Sequence, residues 1–375
     1  MSSEKDPLAA LFDGAAVGAG LEGLALAVLL AQHPCDPLAY PYHGKTPDHL
    51  LSYWGKKFIY ARKDKSPMLL ADLAIIGLGF AVLSISVGEA IKRVVRIARS
   101  LDVSEYTISF ILVGTLAVFP ELAIGVMSAI GGHPTFGLGI VIGSNIIDMT
   151  LIIGLVAAIS GGINKTPAIG RSFLFAVLLP IVLLIDGTIS RLDGAILLGT
   201  YALFVRSMLP HRLAINHHLH HRRAHIGTDL SLLLLSLALL FAAGHFISES
   251  AGSLGESLGV PLVFLGSILA IGTCMPELAL ALRAAQHKHA ALGLGNILGN
   301  VFADCLATIG IIALIAPITP QVHSYALISG TMMVLAAGLV LLLLRRKEIT
   351  RIQGIALIMA YVVVLVLQNI IEHAM

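Results

Sequence analysis

The sequence predicts an all-α membrane protein: a ten-helix core built as two inverted five-helix repeats, with an extra N-terminal segment ahead of it. Three observations predict it. The first is composition: of 375 residues, 57% are hydrophobic and only 12% charged, with a mean hydropathy of +0.91, whereas a soluble domain carries about twice that charged fraction. The second is an internal duplication. Phe119-Pro120-Glu121-Leu122 recurs 156 residues later as Met275-Pro276-Glu277-Leu278. At the same offset the stretch from Gly137, Gly139 and Gly143 to Asp148 aligns with Gly293, Gly295, Gly299 and Asp304, and Gly154 aligns with Gly310. Chance seldom holds a Pro-Glu pair, three glycines and an Asp in one register. The third is parity: each copy belongs to an odd number of apolar segments, so the second copy enters the membrane upside down relative to the first.

Residues 1–66 form the N-terminal extension. Leu8 to Gln32 is apolar, yet it holds Asp13 and Glu22 and follows no basic stretch, so it is not a clear signal peptide and fits an extra span or a partly buried surface helix, with the span favoured. Thr46 to Ser66 sets Tyr53, Trp54, Phe58 and Tyr60 among Lys56, Lys57, Arg62, Lys63 and Lys65, the pattern of a helix lying at the lipid headgroups or, equally, of a mobile basic tail. A spanning helix needs about 20 apolar residues. Ten later segments qualify: 67–91, 105–130, 137–160, 169–186, 192–210, 229–250, 260–284, 290–315, 323–344 and 352–371. Residues 67–210 make the first half, 211–228 a His-rich cytoplasmic linker, and 229–375 the second half. Each half carries its Pro-Glu in its second helix and its Gly-rich Asp stretch in its third.

Charge sets the orientation. Lys92, Arg93, Arg96 and Arg99 follow the first span, Lys165 and Arg171 the third, and Arg206, Arg212, Arg222 and Arg223 the fifth. Arg283 and Lys288 follow the seventh, and Arg345, Arg346, Lys347 and Arg351 the ninth, while the opposite loops hold Arg191 alone. The odd-numbered exits are therefore cytoplasmic, in the cell membrane. The basic stretch 46–66 then falls outside, against the same rule.

Several function classes drop out. A net charge of +2 without a basic domain argues against a nucleic-acid partner. Cys35, Cys274 and Cys305 show neither a disulfide framework nor zinc-ligand spacing. No metalloprotease helix, nucleophile elbow or phosphate-binding loop appears, so an enzyme is not expected, nor a bound cofactor. The expected partners are the lipid bilayer and inorganic cations.

The chemistry sits in the repeats. A charged side chain in an apolar span costs several kcal/mol and is usually kept for function. Proline donates no backbone hydrogen bond, so Pro120 frees the carbonyl of Leu116, and Pro276 that of Gly272. Unwound backbone survives in a membrane only when buried in protein or lining a wet cavity. Freed carbonyls beside Glu121 and Glu277, with Asp148 and Asp304 on the following helices, make an all-oxygen site. Hard cations, calcium above all, choose such a site; zinc or copper would recruit imidazole or thiolate. Cys274 and Cys305 keep a soft-metal reading open, although buried cysteine is most often a small hydrophobe. Four ionised carboxylates cannot share a buried site without positive charge. When calcium leaves, sodium must enter or carboxyls must take protons, because crowded like charges do not all stay ionised. If only the filled site crosses, exchange follows. A cation channel is the alternative, as is a monovalent cation/proton antiporter on the same carboxylates; a channel would need a continuous pore and weak multi-site binding.

These two motifs resemble the alpha-repeats of the calcium/cation antiporter superfamily, typified by sodium/calcium exchangers, whose repeat runs Gly-Thr-Ser-x-Pro-Glu and later Gly-Asn-x-x-Gly-Ser-Asn. The resemblance covers about 67–371. It implies ten helices in two inverted fives, with calcium shared by Glu121 and Glu277. It also implies that Asp148 and Asp304 complete the site, and adds as ligands Ser144, Thr273 and the backbone carbonyls of Gly114 and Ala270. Departures are informative. Ala117 and Val118 replace the Thr-Ser before Glu121, Cys274 replaces the second serine, Asn300 replaces the serine of the second Gly-Ser, and Ile140 and Val301 replace asparagines. The resemblance implies that sodium-coupled members use the hydroxyls and carbonyls around such a centre for sodium. Asp148 stands where the first repeat often has Asn, adding a proton carrier. Sodium and proton coupling both remain open, with the departures favouring protons; Asp148, Asp304, Glu121 and Glu277 are the proton-coupling candidates. His211, His217, His218, His220, His221 and His225 crowd the linker, a pattern that fits a pH sensor, a metal trap or a solvated tether.

Overall fold

The computed structural model describes residues 47–100, 118–164, 171–208, 226–286, 290–346 and 348–374. The apolar stretch 8–32, the histidines of the linker, and Gly114 and Leu116 lie outside the described residues. The chain divides into two units, residues 1–71 and 72–375. In the first, the described residues are helical from Pro47 onward; the second holds the repeats.

Each expected span corresponds to helix, in chain order. The first lies in α1, Pro47–Ser100. The apolar span within it is Leu69–Ile97, and the helix runs on through Pro67 because Met68 to Ala71 are strong helix formers that carry it past one missing hydrogen bond. The second is described as α2, Phe119–Ile130. The third comprises α3, Pro134–Ile147, a π-turn at Asp148–Ile152 and α4, Ile153–Ser160. α5, Arg171–Leu183, and α6, Arg191–Met208, end the first half. α7, Ile226–Leu258, opens the second. The seventh span is broken into α8, Leu262–Thr273, and α9, Met275–Gln286, bent by 41°. The eighth comprises α10, Ala290–Ala303, a π-turn at Asp304–Thr308 and α11, Ile309–Ile315. α12, His323–Leu344, and α13, Arg351–Ala374, close the chain. By length and apolarity, 6 of the described helices can cross a membrane, or 7 with the bent pair.

The duplication extends to the main chain. α2, α3, the first π-turn and the start of α4 reappear, each shifted by the same 156 residues, as α9, α10, the second π-turn and the start of α11. These copies are the core. In the most apolar stretch of each span, 89% of the residues are buried within Pro134–Ser160 and 78% within Gly293–Ile315, against 28% within Leu69–Ile97 and 17% within Arg351–Ile371. The outer helices turn Leu78, Leu203, Leu335 and Ile352 outward, as a lipid-facing surface requires.

The halves interlock reciprocally. A Cβ on Gly154 would lie 2.7 Å from the Gly354 carbonyl oxygen, and one on Gly194 2.8 Å from that of Gly310. The third span of each half thus packs its backbone on the fifth span of the other, the close approach that small residues permit between membrane helices. Two clips repeat the exchange. β1, Gly162–Asn164, pairs antiparallel with β2, Glu348–Thr350, with Ile163 opposite Ile349. Ile189 and Ile318 form an isolated bridge, both bonds 3.0 Å. Asn164 and Ile189 flank opposite ends of α5, and Ile318 and Glu348 opposite ends of α12, so the clips sit at opposite faces. That is what an inverted repeat dictates. The first clip lies among the basic loops; the second has only Arg191 near it in sequence.

Candidate transport site

Glycine positions the site. On α3, a Cβ at Gly139 would lie 2.4 Å from the Val263 carbonyl oxygen and one at Gly143 2.5 Å from that of Ser267. α8 therefore lies backbone to backbone on α3, an approach that any larger side chain would forbid. It carries the Ala270–Cys274 segment against Ser144, whose carbonyl oxygen is 3.8 Å from Cys274 Sγ. The chain then bends at Cys274 and α9 begins with Met275-Pro276-Glu277. The missing N–H of Pro276 accounts for the break.

All four predicted carboxylates are buried: Glu121, Asp148 and Asp304 at 0% exposure and Glu277 at 4%. Three of them lie within electrostatic reach of others in the group: Asp148 acts on Glu121, Glu121 and Asp148 act on Glu277, and Glu121 and Asp148 act on Asp304. All four lie in the buried core formed by the two copies. The structure does not close them on one point: among the described residues, no three acidic, histidine or cysteine side chains are placed to hold a metal ion jointly. Neutral donors hold the two aspartates instead. Asn300 Nδ2 donates to Asp148 Oδ2 at 3.1 Å. Thr308 Oγ1 donates to Asp304 Oδ1 at 2.9 Å, and Ser144 Oγ makes a long contact of 3.4 Å with Asp304 Oδ2.

The glutamates are less satisfied. Both carboxylate oxygens of Glu121, Oε2 of Glu277, Oδ1 of Asp148 and Oδ1 of Asn300 are buried without a hydrogen-bond donor. Thr273 neighbours Glu121, but its single hydroxyl proton is committed to the Ala270 carbonyl at 2.9 Å. Ala270 also accepts from the Cys274 backbone N–H at 3.2 Å, so this carbonyl, a ligand by resemblance, is already doubly engaged. Buried acceptors are rarely left alone, and each costs about 1–3 kcal/mol. Several in one place need a positive partner, and all are oxygens, the donor set of a hard cation.

Three features escaped the sequence. The π-turns put Asp148 and Asp304 at the first residue of a wider helical turn, a feature common at functional sites; the shared Asp was visible, the turn was not. Thr308 holds Asp304, yet its repeat partner is Ile152, so the duplication could not mark it. Asn145, whose repeat partner is Val301, points its amide at Cys305 Sγ, 3.3 Å, and Met333 Sδ, 3.5 Å. Glu89, at the end of the first span, is tied to Lys92 at 2.8 Å and Arg93 at 3.0 Å, as suits an interfacial acid.

Among the described residues two cavities stand out, and none of the four carboxylates lines either. The larger, about 310 Å³, is bounded by His133, Glu256, Pro261 and Gln321, at the face opposite the basic loops. The smaller, about 200 Å³, is apolar and touches Thr308.

Comparison with known proteins agrees with this architecture. Residues 72–209 and 228–369, one block in each half, match the family described as sodium/calcium exchanger protein. CaxA of Alkalimonas amylolytica is 29% identical over 313 residues, covering 79% of this chain and 97% of that protein. The sodium/calcium exchanger MaX1 of Methanosarcina acetivorans is 26% identical over 354 residues, covering 80% of this chain and 99% of its own. The solved structure of the sodium-calcium exchanger NCX_Mj shares the fold, with a TM-score of 0.54 at 23% identity over 79% of this chain and 97% of that one.

Proposed function

Because this chain belongs to the sodium/calcium exchanger protein family, and is a multi-pass membrane cation antiporter and not an enzyme, we propose that it moves Ca2+ in exchange for H+ or Na+ by alternating access. The observation that carries the reading is the set of buried oxygens lacking a donor: both of Glu121, one of Glu277 and one of Asp148, drawn from the two halves. Calcium takes 6 to 8 oxygen ligands in adaptable geometry. An ion of that kind supplies the missing positive charge and draws in groups that neutral donors now hold apart.

Exchange follows from electrostatics. With the ion gone, four carboxylates face one another in an apolar interior, and the site crosses the membrane only when neutralised. Two occupants can do this. Protons need a carboxyl each, and Asp148 offers one, with Oδ1 free of any donor. Sodium needs hydroxyl and carbonyl oxygens, and this chain has Val118 and Cys274 where the family pattern has serines. The donor set therefore favours protons. We place the protein in the cell membrane with its basic loops inside, as the distribution of Lys and Arg indicates.

Purified protein in calcium-loaded vesicles tests this. An imposed proton gradient should drive calcium flux more strongly than an equal sodium gradient. Flux on sodium alone would reverse the counter-ion, and calcium flux without any counter-cation would make the protein a channel.

A further inference from the structure

We propose that a buried polar track, running along α12 through Tyr325 and Ser329 to Asn145 of α3, holds ordered water and passes the counter-proton between Asp148 and the face opposite the basic loops. The inference rests on the proton-coupled reading above and gives that reading a route.

Spacing on α12 lays the track. Tyr325, Ser329 and Met333 recur at every fourth residue, which puts them on one stripe of the helix, and all three are buried, at 1%, 1% and 0% exposure. At the inner end Met333 Sδ lies 3.5 Å from the Asn145 amide nitrogen. Asn145 stands one helical turn before Asp148, where side chains share a face. At the outer end Gln321 and Val322, just ahead of α12, line the larger cavity together with His133 and Glu256. The Tyr325 ring packs edge-on against Phe264 of α8, with 5.7 Å between ring centres. From Tyr325 to Met333 the stripe runs along about 12 Å of helix.

Packing alone does not account for these groups. Ser329 Oγ and Asn145 Oδ1 are buried with no hydrogen-bond partner. A hydroxyl in a membrane helix ordinarily bonds back to the carbonyl four residues earlier, as Thr331 on the same helix does to Leu327 at 2.7 Å; Ser329 does not. The Asn145 amide nitrogen meets two sulfurs, Cys305 Sγ at 3.3 Å and Met333 Sδ at 3.5 Å, both weak acceptors. Leaving such groups dry incurs their full desolvation penalty, and ordered water, which bridges two to four polar groups, is the partner that removes it. Asp148 Oδ1 lacks a donor as well, so the unsatisfied oxygens run from α12 to the proton carrier. The duplication leaves the track one-sided, since Val301 stands at the repeat position of Asn145 and offers Asp304 no amide. When Asp148 ionises, its O–H bond breaks as a water takes the proton. That water passes one to the next, the Ser329 hydroxyl accepts one and gives up its own, Tyr325 does the same, and the proton leaves into the cavity. Asn145 does not titrate; it is a positioning residue that holds the water in line.

Two measurements test the track. Hydroxyl-radical footprinting by X-ray pulses marks side chains that lie beside bound water. In purified wild type Met333 should be oxidised despite its burial, and the label should drop in Ser329→Ala. In vesicles, Ser329→Ala should lower proton-driven calcium flux about tenfold, or about 1.4 kcal/mol, with the KM for calcium unchanged, and Ser329→Thr, which restores the hydroxyl, should recover the rate. Equal flux in all three proteins, or equal loss in both variants, overturns the proposal. Should Ser329→Ala fail to fold, the wild-type label decides. An unlabelled Met333 beside intact proton-driven flux overturns the track alone, whereas exchange driven by sodium alone in the wild type overturns the proton-coupled reading and the role of the track with it.

Discussion

Asn300, in the second half, hydrogen-bonds Asp148, in the first, at 3.1 Å, and the equivalent position of the first half, Ser144, reaches toward Asp304 of the second at 3.4 Å. The two contacts are one repeat contact made twice and crossed. Each aspartate is held by a donor from the opposite half, so both bonds persist only while α3 and α10 stay crossed. The Gly-rich helices form the fixed centre, and motion between faces has to occur around them.

Asn300→Ala should therefore destabilise more than Ser144→Ala. It strips the better of the two bonds from a fully buried carboxylate, a loss of about 1–3 kcal/mol, whereas the Ser144 contact is long and its hydroxyl also has the Val141 carbonyl at 3.1 Å. Thermal unfolding in detergent, without calcium, should rank the two variants in that order; equal midpoints would refute the crossed-pair account.

Glu277→Gln and Glu121→Gln should each abolish calcium exchange while leaving the protein folded. The amide keeps the volume and removes the charge. In calcium-free buffer both variants should be at least as stable as the wild type, since discarding a buried, unpaired charge relieves an unfavourable interaction of about a few kcal/mol. Calcium should raise the midpoint of the wild type and not of the variants. Wild-type flux in either variant would end the assignment of that residue to the site.

Most of the fold was legible because a membrane reduces folding to a few strong rules. Apolar length set the spans, an odd number per half set the inversion, and the 156-residue register of Pro120-Glu121 and Pro276-Glu277 marked the two most buried stretches of the repeats. The limits were local and physical. The register speaks only for positions the copies share, so Thr308 against Ile152 and Asn145 against Val301 were invisible. Backbone partners such as Gly154 with Gly354 lie in different halves, and no periodicity within one helix reveals which neighbour it will touch.

The reciprocal glycine contacts give a third prediction. Gly154→Val would place a branched side chain where a Cβ alone lies 2.7 Å from the Gly354 carbonyl oxygen. Backbone cannot yield as a side-chain tip can, so the variant should lose about 1–3 kcal/mol or more from overpacking and lose transport with it. Gly77→Val, where nothing lies within 4 Å of the added Cβ, is the control and should keep both stability and flux. If the two variants behave alike, the packing of α4 on α13 is not what joins the halves.

The last prediction concerns protons. Asn in place of Asp148 mimics the protonated acid and can never ionise, while Glu121, Glu277 and Asp304 still titrate in both proteins. At low pH, where the wild-type Asp148 carries its proton, Asp148→Asn should resemble the wild type in calcium exchange. As pH rises and the wild-type carboxyl ionises, the variant lacks both the extra negative charge for calcium and the proton to give back. The ratio of wild-type to variant flux should therefore grow with pH, and proton-driven exchange should lose more than sodium-driven exchange. Calcium uptake into vesicles across a pH series, with each gradient imposed in turn, measures both. A ratio constant with pH would remove Asp148 as the proton carrier and shift that role to the glutamates.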